Sequence, residues 1–242
     1  MNGLLRHTAK LFDHDGKLFV LALDHAQTGL TEGLADVKAV MRLQSGTALD
    51  GFLVNVEPAR IMAEEALLQK KLLLRSSFGG TRLSGSFSRM HRNHVSPETA
   101  LLLGADAVVM MLVLGEDDAE GIQQAAADID AYHRLGIPVV AEILAADFAK
   151  TQTFAIQANG ARVAAELGAD VVKAFYTENF DAVVANCPVP IILAGGPKDK
   201  DIFDIARAAV DDGVRGFAFG RNLFLAENTP ERIVRLNEIL RA

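Results

Sequence analysis

The 242-residue chain contains no tryptophan, only two tyrosines and a single cysteine. One cysteine excludes an intramolecular disulfide framework and any metal site built from several thiolates. Cys187 stands beside Pro188 just before an apolar run, where a buried spectator thiol is the favoured reading. Positive charge is also in deficit: 24 Lys and Arg face 31 Asp and Glu, a formal net charge of −7. No general basic field therefore exists to attract nucleic acid or an anionic membrane surface. Long apolar stretches are missing as well. The longest, AVVMMLVL from Ala107 to Leu114, is far too short to cross a bilayer, and the opening MNGLLRHTAK lacks the apolar core of a secretion signal. The expectation is a cytoplasmic protein whose partners are small molecules, neither nucleic acid nor membrane.

Half of the residues are hydrophobic, and they fall into short β-branched runs separated by helical segments, without a Pro/Gly/Ser-rich linker. The runs are LFVLALD, GFLVNV, LLLRSSF, AVVMMLVL, PVVAEIL, VVKAFY, PIILAGG and GFAFG. Between them, amphipathic stretches such as DAEGIQQAAADIDAYHRLG and ANGARVAAELG close on a glycine suited to a helix C-terminus. Entries to strands repeat: GADAVV at Gly104 resembles GADVVK at Gly168, and DGF at Asp50 resembles DGV at Asp212. Eight doubly apolar strands, each followed by a helix, predict an α/β protein made of a single (β/α)8 TIM barrel, one catalytic domain over residues 1–242. A doubly wound open sheet is the alternative. It usually places a glycine-rich turn after its first strand, where this chain has Asp24-His25.

A barrel of this kind builds its active site at the C-terminal strand ends. The polar residues late in each run are few: Asp24, Asn55, Glu142, Lys173, Gly195 with Gly196, and Gly220 with Arg221. Lys173 sits among Val171, Val172, Ala174 and Phe175. Burial in such company favours a neutral amine able to condense with a carbonyl; the plain alternative is a lysine whose stem packs while its ammonium reaches water. Asp24 and Glu142 are the acids that could move protons for it. Either could instead cap a helix or simply pair with Lys173.

The glycines of LAGGPK and FGRNLF follow the seventh and eighth runs, where many barrels hold a phosphate on backbone N–H groups, and Arg221 could add charge. Ordinary tight turns are the alternative, but two glycine sites on the strands where a barrel holds phosphate favour the cradle. From Ala66 to Pro97 there is no acidic residue, while Lys70, Lys71, Arg75, Arg82, Arg89 and Arg92 all lie there. The segment SSFGGTRLSGSFSRMHRNH after the third run reads as a long loop at the barrel mouth. It could hold a second anion or a substrate carboxylate, or face a subunit or solvent. His91 and His94 stand three apart, without the carboxylates a metal site would need, so neither a metal nor an organic cofactor is expected.

From LALDHAQTG through GADVVKAFYT to AGGPK and FGRNLF, the chain resembles the class I aldolases of the archaeal-type fructose-bisphosphate aldolase family, grouped with deoxyribose-phosphate aldolase. GADVVKAFYT is the most specific segment, similar to the family's Schiff-base strand. The resemblance implies Lys173 as the iminium-forming lysine, Asp24 as an active-site acid, the two glycine segments as a phosphate cradle, and a homo-oligomer. Archaeal-type fructose-bisphosphate aldolases carry a catalytic tyrosine at the fifth strand. Here the sequence is AEILAADF, whose glutamate is more similar to that of class I tagatose-bisphosphate and sulfofructose-phosphate aldolases. That points away from fructose bisphosphate and toward Glu142 for proton transfer, with Tyr176 either contributing or packing. A second relative, a thiolase acting on a phosphorylated diketone, shares the lysine strand.

The function expected is a lysine-dependent aldolase acting on a phosphorylated ketose or related keto compound through an iminium. Its alternatives are a thiolase-type acyl transferase, an isomerase or epimerase using Lys173 as a charge, and a sugar-phosphate sensor without turnover.

Overall fold

In the computed structural model, which describes residues 2–84, 91–196 and 200–242, each of the eight apolar runs becomes a parallel strand of one closed barrel. The elements are α1 (Asn2–Leu11), β1 (Leu18–Ala22), α2 (Val37–Leu43), β2 (Gly51–Val54), α3 (Val56–Ala59), β3 (Lys71–Arg75), β4 (Ser77–Phe78), β5 (Arg92–Asn93), α4 (Pro97–Leu102), β6 (Ala107–Leu114), α5 (Ala119–Arg134), β7 (Val139–Ala145), α6 (Phe154–Glu166), β8 (Val171–Phe175), α7 (Phe180–Ala185), β9 (Ile191–Gly195), α8 (Ile202–Asp211), β10 (Gly216–Phe219), α9 (Arg221–Phe224) and α10 (Thr229–Arg241). The barrel order is β1-β10-β9-β8-β7-β6-β3-β2, so the (β/α)8 TIM barrel read from the sequence is the fold. The helices form where the sequence offers them ends. Asp36 accepts from Ala39 N at the start of α2, and Ser96 accepts from Thr99 N where Pro97 opens α4. Gly136 and Gly168 follow α5 and α6 at φ +72° and +101°, the glycine endings the sequence calls for.

The repeated strand entries have a shared mechanical cause. Asp50, Asp106 and Asp170 each precede a barrel strand, and each carboxylate accepts a backbone N–H from the first two residues of the preceding barrel strand: Phe19 N at 2.6 Å, Leu72 N at 2.8 Å and Val139 N at 2.8 Å. The likeness of DGF to DGV does not extend to structure. Gly51 begins β2, where an added Cβ would lie 2.1 Å from the Lys71 carbonyl oxygen, whereas Gly213 is a turn residue at φ +101°.

Side chains alternate across a strand, and this sorts the barrel into two buried sets. Outward residues pack under the helices. Inward residues form a separate apolar plug: Leu18, Val20, Ala22, Leu53, Leu73, Ala107, Val109, Val140, Val171, Ile192 and Ala218. Each contributes on the order of 25 cal/mol per Å² of apolar area withdrawn from water.

The segment after β3 is not one long loop, because it contains a pair of short strands. Ser77–Phe78 pairs antiparallel with Arg92–Asn93 in a small hairpin. Of the loop's basic residues, Arg89 lies outside the described residues, as do Pro197 and Lys198 of LAGGPK.

Candidate active site

Two residues beyond the plug, the inward positions change character. Counting forward by two from Ala22, Leu53, Leu73, Val109, Val140, Val171, Ile192 and Ala218 gives Asp24, Asn55, Arg75, Met111, Glu142, Lys173, Ala194 and Gly220. Four of these eight are charged, and they share one corner because the strand registers bring them there. Glu142 lies directly opposite Lys173 across β7 and β8, and Arg75 on β3 lies opposite Val109 on β6, the neighbour of β7.

The charges form a chain. Lys173 Nζ donates to Glu142 Oε1 at 2.8 Å. The other glutamate oxygen, Oε2, accepts from Arg75 Nη2. Arg75 then reaches Asp24 Oδ2 with Nε at 2.7 Å and Nη2 at 2.6 Å. Arg75 is 0% exposed, and Asp24, Glu142 and Lys173 are each 5% exposed. Two cations against two anions leave the cluster neutral. Removing one buried partner from such an arrangement costs about 3–5 kcal/mol, because it strands a charge away from water.

Burial alone would raise both carboxyls, but the cations outweigh it. Lys173 and Arg75 hold Glu142 below the ordinary carboxylate range, and Arg75, Lys173 and His25 hold Asp24 well below it. Both acids are therefore present as carboxylates. His25, the residue after Asp24, is pushed down by burial and by the Lys173 and Arg221 charges against the pull of Asp24 and Glu142, so its imidazole is neutral at neutral pH.

Small residues make the space. A cavity of about 680 Å³ opens above the cluster, walled by Ala22, Ala194, Gly195, Gly196, Ala218 and Gly220 on one side and by Glu142 and Lys173 on the other. Arg221, His25 and Arg82 also face it. Gly195 has φ +141° and nothing within 4 Å of where a Cβ would stand, so its backbone is bare to the cavity. At Gly220 an added Cβ would lie 2.5 Å from His25 Cε1 and 2.9 Å from the Ala22 carbonyl oxygen; the close approach of the ring requires glycine there.

The structure thus brings together Asp24, Glu142, Lys173, Gly195, Gly196, Gly220 and Arg221 at one strand end, as their sequence positions suggest. Two readings change. Lys173 does not sit in purely apolar surroundings: its partner Glu142 is remote in sequence and adjacent in register. Asp24 stands behind the cavity wall with its carboxylate engaged by Arg75. Tyr176 packs on the Phe180 ring, centroids 5.2 Å apart, a packing role.

Arg75 is the residue that sequence reasoning passed over. Its signal was the one that marked Lys173, a cation interrupting an apolar run, LLLRSSF. The basic stretch around it is not one surface. Lys70 caps the carbonyls of Thr47 and Leu49, Lys71 pairs with Asp13 at 2.6 Å, and Arg92 pairs with Glu120 at 2.6 Å. Arg82 alone among these reaches the mouth, held by Thr28 Oγ1, the Leu30 carbonyl and Thr31 Oγ1. Among the described residues no group of three His, Cys, Asp or Glu side chains could hold a metal, and no helix is long and apolar enough to cross a membrane.

Comparison with known proteins bears on the family of the chain. The chain is 30% identical to 2-amino-3,7-dideoxy-D-threo-hept-6-ulosonate synthase 1 of Archaeoglobus fulgidus, across 97% of this chain and 89% of that one. It is 28% identical to the 3-hydroxy-5-phosphonooxypentane-2,4-dione thiolase of Salmonella typhimurium, across 98% and 82%. Its fold superposes on a Schiff-base-forming fructose-1,6-bisphosphate aldolase with a TM-score of 0.86 at 25% identity, covering 98% of this chain and 99% of the other. The profile of the DeoC/LacD family aldolases matches residues 19–226. On this evidence the chain belongs to the DeoC/LacD family and is a class I aldolase.

Proposed function

We propose that the protein cleaves or forms a C–C bond in a phosphorylated ketose or related keto compound through an iminium on Lys173, within one catalytic domain spanning residues 1–242. The observation that carries this reading is the 2.8 Å contact of Lys173 Nζ with Glu142 Oε1 on the floor of a cavity that both residues line. An ammonium must lose a proton before it attacks, and Glu142 is a carboxylate in contact with it.

The steps follow from that contact. Glu142 takes a proton from the ammonium, and the free amine adds to the substrate carbonyl. The protonated Glu142 returns the proton to the carbinolamine hydroxyl, which leaves as water. The resulting iminium carries the same single positive charge that the ammonium did, so the balance with Arg75, Asp24 and Glu142 is restored. This cation draws in the electrons of the bond between the α and β carbons as it breaks, forming an enamine, while Glu142, again a carboxylate, accepts the proton of the β-hydroxyl that becomes a carbonyl. The enamine is then protonated and hydrolysed, releasing the second product and the amine. Arg75 keeps Glu142 ionised and aimed, Asp24 holds Arg75 in place, and both act through Glu142.

Across the cavity, Gly195, Gly196 and Gly220 offer backbone without side chains, and Arg221 supplies charge. Together they suit a phosphate, whose binding fixes the carbonyl against the amine. The printed names of the relatives favour this class: one acts on a phosphonooxy diketone and another on fructose bisphosphate. As with the family it resembles, a cytoplasmic homo-oligomer is proposed.

Acyl transfer is the second reading, favoured by the thiolase relative. The test is turnover of a panel of ketose monophosphates, ketose bisphosphates and a phosphorylated diketone, each with and without a thiol acceptor. Release of a three-carbon phosphate from a ketose without thiol is the expected result. Turnover only of the diketone and only with thiol would replace the lyase by an acyl transferase. Binding without turnover of any compound would identify a sensor and overturn the proposal.

A further inference from the structure

His25 faces the cavity but has no part in the steps above. Its imidazole lies between two features. On one side Nδ1 is buried, makes no hydrogen bond among the described residues, and is 3.6 Å from Asp24 Oδ1. On the other side, Nε2 is 3.2 Å from where a Cβ would stand on Gly220, a position kept free by the glycine. Phe224 of α9 meets the ring edge to face, centroids 5.4 Å apart, and fixes its tilt. The side chain is 30% exposed, and the ring lines the cavity beside Gly220 and Arg221. One nitrogen therefore faces the catalytic cluster and the other the proposed phosphate corner.

The charges that face the ring are Asp24 on β1's exit, Glu142 on β7, Lys173 on β8 and Arg221 on α9. They nearly cancel, and burial leaves the empty-site imidazole neutral. A phosphate dianion against Arg221 and Gly220 would break that balance by adding negative charge next to Nε2 alone.

We infer that His25 is a ligand of the substrate phosphate that takes up a proton when the phosphate binds and, once charged, bonds to Asp24 through Nδ1. The inference rests on the phosphate corner proposed above. It gives that corner a line to the chemistry: the imidazolium Nε2–H donates to a phosphate oxygen, and Nδ1–H closes the 3.6 Å gap to Oδ1, the Asp24 oxygen that Arg75 leaves free. The proton comes from solvent, and no covalent bond changes. An occupied phosphate site thereby adds a second cation behind the carboxylates that serve Lys173.

The experiment uses the full chain with glycerol 3-phosphate, which has the phosphate but no carbonyl for Lys173 to attack. Binding is followed on the phosphorus resonance of the ligand, and His25 protonation on the imidazole nitrogen shifts of histidine-labelled protein, assigned with His25→Gln. Near neutral pH, His25 is expected to pass from neutral to imidazolium as the site saturates. In His25→Gln, affinity should fall by about tenfold below pH 6.5, and the deficit should close above about pH 8.5, where the native imidazole also stays neutral. Bound ligand with His25 still neutral would overturn the inference while leaving the phosphate corner intact, as would a pH-independent deficit in His25→Gln. Absence of any binding to the native protein would overturn the phosphate corner and this inference with it.

Discussion

At the N-terminal ends of the strands, Arg241 lies against Asp13, Asp15 and Asp50, and Lys71 against Asp13. At the C-terminal ends, Arg75 and Lys173 lie against Asp24 and Glu142. The two clusters have similar ingredients and different surroundings. The lower one is partly open to water, its Asp13 side chain 38% exposed, and it ties the last helix to the turn before β1 and to the start of β2. Its carboxylates are taken up by backbone N–H groups, by Arg241 and by Lys71. The upper one is sealed behind a cavity whose walls on β1, β9 and β10 are alanine and glycine, so one of its cations, Lys173, faces empty space. Ion pairs alone do not make an active site; a buried cluster left open on one side by small residues does.

Substitutions can separate the two ends. The largest effect is expected from Lys173→Met, with activity lost by at least about a thousandfold, as for removal of a covalent nucleophile; turnover of the preferred substrate measures it. Glu142→Gln should reduce kcat by about 10²–10⁴-fold, the usual contribution of a positioned acid-base group. Arg75→Met should destabilise the fold by about 3–5 kcal/mol in denaturant titration and move the acid limb of kcat/KM upward. The sign follows from the depressed carboxyls. Asp24 and Glu142 stabilise the fold above their unfolded values and lose that contribution as pH falls through their lower folded values, so without Arg75 the loss begins at higher pH. Arg75→Lys should return part of the stability but little of the pH profile, since an ammonium cannot hold two carboxylates in the same plane.

The smallest effects belong to the lower cluster. Burial raises Asp50 to about 6, above its unfolded value, so its protonated form favours the fold. Its contribution is present at low pH and is lost as pH climbs through about 6. In Asp50→Asn the change in unfolding free energy between pH 8 and pH 5 should lack that component, about 1–3 kcal/mol in denaturant titration, with turnover unchanged. A large fall in turnover would show that the two ends are coupled.

Much of this was legible before folding. All eight strands could be read because runs buried on both faces are apolar at nearly every position. Asp24, Glu142 and Lys173 stood out as interruptions of those runs. Arg75 interrupts LLLRSSF in the same manner, yet its basic sequence neighbours gave it the look of a charged loop. Lys71 and Arg75 have the same strand parity, so only their position along β3 separates them, Lys71 at the N-terminal end of the barrel and Arg75 at the C-terminal end. The contact of Lys173 with Glu142 was illegible for a related reason. It depends on the register of β7 against β8, which pairs residues 31 apart in sequence and cannot be read from either strand by itself. The role of Asp24 as an anchor for Arg75 was hidden with it.

The most direct measurement is borohydride reduction of the protein in the presence of dihydroxyacetone phosphate and the preferred ketose phosphate, followed by peptide mass spectrometry. The expected result is one stable adduct on the peptide bearing Lys173, absent in Lys173→Met and formed more slowly in Glu142→Gln. Turnover of the ketose with no reducible adduct, or an adduct confined to another lysine, would contradict the account.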